Sequence, residues 1–97
     1  MAEVVWTEEA AAWVRDIHDY IAEDNPAAAQ RVIQGIYNRA EQLLDHPESG
    51  YRYSRSGPYI RILLYGHYRI AYRVTEERSV RILGVFHGAL DITRHLY

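Results

Sequence analysis

The hydrophobic period of this chain changes once, and that change limits what it can fold into more than any other feature. From Ala10 to Leu44 apolar residues recur every three or four positions. From Tyr59 to Phe86 they fall instead in short runs rich in β-branched and aromatic residues, the pattern of strands. The helical half divides in two at Asp24-Asn25-Pro26. Thr7 is placed to cap the first helix, and Glu8 and Glu9 stand in its first turn, where the helix dipole favours acids. Its apolar stripe is Ala10, Trp13, Val14, Ile17, Tyr20 and Ile21. Asn25 caps the second helix, and Pro26 fits its first position, where a missing N–H costs nothing. Ala29, Val32, Ile33, Ile36, Ala40, Leu43 and Leu44 form the second stripe, which stops near His46-Pro47. So short a junction predicts a helical hairpin whose two stripes share one core.

After a polar connection from Gly50 to Gly57, three strands are predicted: Tyr59–Tyr65, Tyr68–Val74 and Val80–Phe86. Gly66-His67 separates the first pair and Thr75–Ser79 the second, which predicts an antiparallel meander. Val4–Trp6 reads as a further strand. From Gly88 onward neither period dominates, and a short helical turn is one reading. No repeat, low-complexity run or linker interrupts the 97 residues, so residues 1–97 are expected to form a single domain.

Composition excludes several classes. There is no cysteine, hence no disulfide framework, thiolate metal site or cysteine nucleophile. No apolar stretch approaches the ~18 residues of a membrane span, and the N-terminus lacks a basic-then-apolar signal; a soluble cytosolic protein is expected. The eleven basic residues are all arginine. They are unevenly spread: residues 1–50 carry ten acids against three arginines, a net −7, and residues 51–97 carry eight arginines against three acids, a net +5. The second half therefore faces an acidic partner, nucleic acid or protein, or else simply balances an acidic face.

Strand parity sharpens this expectation. If Ile60, Ile62 and Leu64, then Tyr68, Ile70, Tyr72 and Val74, then Val80, Ile82, Gly84 and Phe86 pack on the helices, the outer face is left with the alternate residues. It would gather Arg61, Arg69, Arg73 and Arg81 among Leu63, Leu83, Val85 and His87. A merely solvated face has no use for those apolar residues, so an interaction surface is expected.

Most enzyme templates find no match. There is neither a phosphate loop with its lysine nor a G-x-S-x-G elbow. The acids lie along polar helix faces as solvating charges. His87, Asp91 and His95 follow one another at four-residue steps, but Gly88 interrupts any such helix, so no metal is expected. His18, His46 and His67 are scattered and read as structural. One catalytic arrangement survives: cleavage of RNA without metal, with Arg69 stabilising the phosphorane. His87 or a tyrosine, Tyr65, Tyr68 or Tyr72, would move the proton. Against it, Tyr68 and Tyr72 alternate with Ile70 as core residues do, and Arg69 is equally placed to pair with an acid.

Five stretches in this order resemble the ParE/RelE superfamily of toxins from type II toxin–antitoxin systems, and more closely its ParE branch. They are Trp6-Thr7; residues 17–29, reading IHDYIAEDNPAAA; residues 44–50, LDHPESG; residues 68–74, YRIAYRV; and residues 82–88, ILGVFHG. The resemblance implies an α+β fold in which an N-terminal strand and a helical hairpin pack on a small twisted antiparallel β-sheet. It implies an antitoxin partner whose acidic, amphipathic C-terminal segment wraps the toxin. On this chain the antitoxin would meet Arg61, Arg73 and Arg81 through its acids and bury its anchors on Leu63, Leu83 and Val85. A ParE-like toxin acts on DNA gyrase; a RelE-like toxin cuts messenger RNA on the ribosome; a member that has lost activity is an inactive module that only binds its antitoxin. RelE-like ribonucleases typically carry lysines where this chain has Ile60 and Ile62, so the resemblance favours gyrase as the target. Direct contact with nucleic acid is left open, and no cofactor, metal or membrane is implied. The family usually shows an arginine before the aspartate that follows His87-Gly88; here Leu90 precedes Asp91.

Overall fold

Thr7 joins three parts of the structure at one residue. Its hydroxyl accepts from the Ala10 N–H at 3.1 Å, capping the first helix, and donates to the Ile82 carbonyl at 2.8 Å. The computed structural model describes residues 2–53 and 59–88. In chain order its elements are β1 (Val4–Trp6), α1 (Glu8–Ala22), α2 (Pro26–Glu41), a 3₁₀ turn (Gln42–Leu44), β2 (Tyr51–Arg52), β3 (Arg61–Tyr65), β4 (Tyr68–Val74) and β5 (Val80–His87). Asn25 caps α2 by accepting from the Ala28 N–H at 3.0 Å, and Pro26 opens the helix. Both helical starts therefore form where the local chemistry demands them.

The five strands make one sheet in the order β1-β5-β4-β3-β2. The meander β3–β4–β5 is antiparallel, as expected, and Gly66 takes φ 56° in the two-residue turn between β3 and β4. β1 adds to β5 in parallel, so the sheet is mixed. β2, only two residues long, pairs antiparallel with β3; the sequence pattern did not distinguish it from the connection around it.

The helices cover one sheet face. Ala10 and Val14 of α1 and Ile36 and Ala40 of α2 are buried against Leu63, Ile70, Tyr72, Val80, Ile82 and Val85. On the opposite face Ile60, Ile62, Ala71 and Phe86 form a second, smaller buried cluster, with Tyr53 and Leu83 against it. β1 covers β5 only as far as Ile82. Trp13 packs on both clusters and meets the Phe86 ring edge-on at 4.9 Å.

This arrangement corrects the expected faces in two strands. In β3 the parity is inverted: Leu63 and Tyr65 pack toward the helices and Ile62 away from them. Both alternating sets of that strand are apolar, and the choice falls to α2, where Gly35 has no side chain and the Tyr65 ring fills the space its Cβ would take. In β5 the parity switches midway. Ala71 pairs with Gly84 but Tyr72 with Ile82, so Leu83 is bulged out of register. Val80, Ile82 and Val85 consequently share the helix face, while Arg81 and Phe86 share the outer one.

Candidate functional site

The outer face is not the continuous basic surface expected from parity. Leu63 is 2% exposed and Val85 fully buried, both in the helix-side core, so neither is available to an anchor on the outer face. Arg61 points to the helix side, its register partner being Tyr72. There its guanidinium donates to the carbonyls of Gly50 at 2.7 Å and Glu48 at 3.4 Å. His87, opposite Tyr68, also belongs to the helix side of the sheet. Arg69, Arg73, Arg81 and Leu83 remain on the outer face. Arg73 and Arg81 are directly opposed and exposed.

Tyr72 is equally far from the catalytic role considered for it. Its side chain is fully buried, and its hydroxyl donates to the Pro47 carbonyl at 2.7 Å while accepting from the Gly50 N–H at 2.9 Å. Burial pushes its phenol above the usual value, although the Gly50 hydrogen bond and the Arg61 charge pull the other way. Its hydroxyl holds the 47–50 turn against the sheet. The turn approaches so closely that a Cβ at Gly50 would lie 2.7 Å from the Ile62 carbonyl oxygen. The LDHPESG stretch thus ends in a packing device.

The other candidates do converge. Arg69, Tyr68 and His87, with Leu64, Gly66, His67 and Gly88, line an open cleft of about 410 Å³ at the end of the sheet where β3 turns into β4. The Arg69 guanidinium donates to the Gly88 carbonyl at 2.8 Å, and the Gly88 N–H donates to the His67 carbonyl at 2.7 Å. These two bonds hold the end of β5 against the β3–β4 turn. The imidazoles of His67 and His87 lie 6.3 Å apart with planes inclined by 20°. Tyr68 meets His87 edge-on at 5.9 Å. Burial, and then the neighbouring Tyr20, push the Tyr68 phenol above its usual value, so at neutral pH it keeps its proton. It can donate there, but it is a poor proton acceptor.

His67 belongs to this cleft although its isolated position in the sequence reads as structural. The signal was the turn itself. A two-residue link between paired strands sets its second residue at the sheet end, beside the residue that terminates the neighbouring strand. Tyr65 lies outside the cleft, packed on Gly35. Asp91 and His95 lie outside the described residues, as does Leu90. No group of three or more histidine or acidic side chains suited to a metal occurs among the described residues. No described helix is long and apolar enough to cross a membrane.

Comparison with known proteins bears on both sequence and fold. Residues 4–92 match the family described as ParE toxin of type II toxin–antitoxin system, parDE. The curated protein Toxin RelE2 of Caulobacter vibrioides is 44% identical over 50 residues, an alignment that spans 52% of this chain and 57% of that protein. Among solved structures, the chromosomal ParDE system from P. aeruginosa superposes with a TM-score of 0.73 at 24% identity, over 90% of this chain and 96% of that one. The RelBE2 toxin–antitoxin complex of Mycobacterium tuberculosis gives 0.66 at 22% identity, over 89% and 90%. The isolated RelE toxin of E. coli gives 0.59 at 14%, over 97% and 92%. At these identities the three structures bear on the fold alone, and it is the fold found here. The family match runs through both helices, every strand and the cleft, and the chain belongs to the ParE toxin family of type II toxin–antitoxin systems.

Proposed function

We propose that this chain is a toxin that inhibits DNA gyrase without catalysing a reaction of its own, and that a cognate antitoxin with an acidic, amphipathic segment silences it. The observation that carries the choice of target is the state of β3 and the residue before it. Ile60 and Ile62 are buried in the outer cluster, and Arg61 is committed to two backbone carbonyls. This stretch therefore offers no free cation to a phosphate in the cleft, whereas metal-free RNA cleavage depends on several charges converging on the phosphorane. Family membership supports an antitoxin partner, and the P. aeruginosa and M. tuberculosis neighbours are themselves toxin–antitoxin systems. Purified gyrase should lose DNA supercoiling when this chain is added, while a purified translation system keeps its messenger intact. Normal supercoiling together with a cut messenger would overturn the proposal.

A second reading rests on the cleft. His67, His87, Tyr68 and Arg69 meet at one surface, where one imidazole would take the proton of the attacking 2′-hydroxyl, the other would give one to the leaving oxygen, and Arg69 would hold the phosphorane. On that reading, His67→Ala and His87→Ala would each abolish messenger cleavage while leaving antitoxin binding intact. Growth inhibition that survives both substitutions excludes it.

A further inference from the structure

The sheet opposes two pairs of arginines across neighbouring strands, a placement that costs stability through like-charge repulsion. One pair is satisfied from within the molecule. Arg52 faces Arg61 across β2 and β3; Arg52 lies over the Tyr59 ring at 4.6 Å, and Arg61 is held by the Gly50 and Glu48 carbonyls. The other pair is not. Arg73 and Arg81 face each other across β4 and β5, both exposed, and neither has a hydrogen-bond or ion-pair partner among the described residues. The cross-strand row continues to Val5, the register partner of Arg81, and Leu83 follows along β5; both are half-buried.

We propose that Arg73 and Arg81 together form a clamp for one carboxylate of an extended acidic protein segment, whose neighbouring apolar side chain rests on Val5 and Leu83. The segment is the antitoxin's, so the inference rests on the partner reading above. Directly opposed residues of an antiparallel pair have Cβ atoms about 4.5–5.5 Å apart, close enough for two guanidinium forks to converge on one oxyanion. A carboxylate between them turns a repulsion into two charge-assisted contacts. Nucleic acid fits less well. Two arginines bordered by valine and leucine make no cationic track along a backbone.

A clamp differs from two ordinary salt bridges in a measurable way. Because both arginines hold the same carboxylate, removing either loses most of the gain. The free chain, relieved of repulsion, becomes no less stable. The experiment compares Arg73→Gln, Arg81→Gln, the double variant and Arg81→Lys with the parent chain, by thermal unfolding of the free protein and by titration with two labelled probes. One probe is the protein encoded by the adjacent reading frame, and the other is a single-stranded oligonucleotide. Each glutamine variant should bind the protein probe roughly tenfold or more weakly. The double variant should bind little worse than either, and none should unfold at a lower temperature. Arg81→Lys, which keeps the charge but not the planar fork, should recover only part of the affinity. Unchanged affinity in both single variants overturns the clamp and leaves the antitoxin reading standing, as do losses that simply add in the double variant. Competition by the oligonucleotide at equal strength overturns the choice of partner. Failure of the parent chain to bind the protein probe removes the antitoxin reading and the clamp's occupant with it.

Discussion

Tyr72 shows how much of this structure depends on single polar atoms placed in an apolar setting. One hydroxyl serves as donor to Pro47 and acceptor from Gly50, and both partners lie on the turn that leads from the helices to the sheet. Replacing it by phenylalanine keeps the ring but strands a buried carbonyl and a buried N–H. Tyr72→Phe should therefore lower unfolding stability by about 1–3 kcal/mol, as measured by denaturant titration. The same residue predicts a pH dependence. Burial raises its folded pKa above the ordinary value of a phenol, so the native state holds this proton more firmly than the unfolded chain does. The stability it confers is complete below about pH 10 and is lost as pH rises through the folded value. Tyr68, raised for the same leading reason, adds to that alkaline loss. In Tyr72→Phe the alkaline decline should be shallower than in the parent chain, and an unchanged slope would mean that the phenol is not desolvated as described.

Among the elements, the joint at Thr7 concentrates the most function in the least structure. Its hydroxyl caps α1 and its N–H and hydroxyl both reach the Ile82 carbonyl, so it ties the first strand, the first helix and the last strand together. Thr7→Ala should cost about 1–2 kcal/mol by thermal or denaturant unfolding, at the upper end of what a lost N-cap costs; Thr7→Ser, which keeps the oxygen, should recover most of it. The two helices and their caps were legible in the sequence because Thr7, Asn25 and Pro26 act on the residues immediately after them. The meander was legible because Gly66 and the Thr75–Ser79 segment punctuate it. Which face of β3 turns inward was not. Ile60 and Ile62 are as apolar as Leu63, and what separates them is Gly35, a residue 30 positions from Tyr65 in the chain that admits its ring. Nor does a period of two announce its own interruption, so the bulge at Leu83 moved Val85 inward and Phe86 outward unseen. The candidate site divides in the same way. Arg69 and His87 were read as candidates because parity set both on one basic face; they lie on opposite faces and meet only at the end of the sheet, where the β3–β4 turn also brings His67.

At the scale of the whole molecule, the acidic half and the basic half become an acidic helical layer laid against a basic sheet. The two candidate surfaces stand at opposite ends of β4. The cleft lies around Tyr68 and Arg69, and the arginine pair begins at Arg73. The parallel pairing of β1 with β5 has a consequence in time. Thr7 and Ile82 are bonded to each other across 75 residues of chain. At synthesis rates of roughly 5–20 residues per second, the first strand waits about 4–15 s for the strand it pairs with among the described residues. Until β5 arrives, Ile70 and Tyr72 lack the strand beside them, and the sheet that carries both surfaces does not exist. A ribosome-stalled chain ending before Val80 should be digested by added protease as readily as an unfolded one, while a chain extended well past His87 resists. The sheet is therefore withheld until β5 has been made, and a segment that recognises its outer face finds nothing to hold before then.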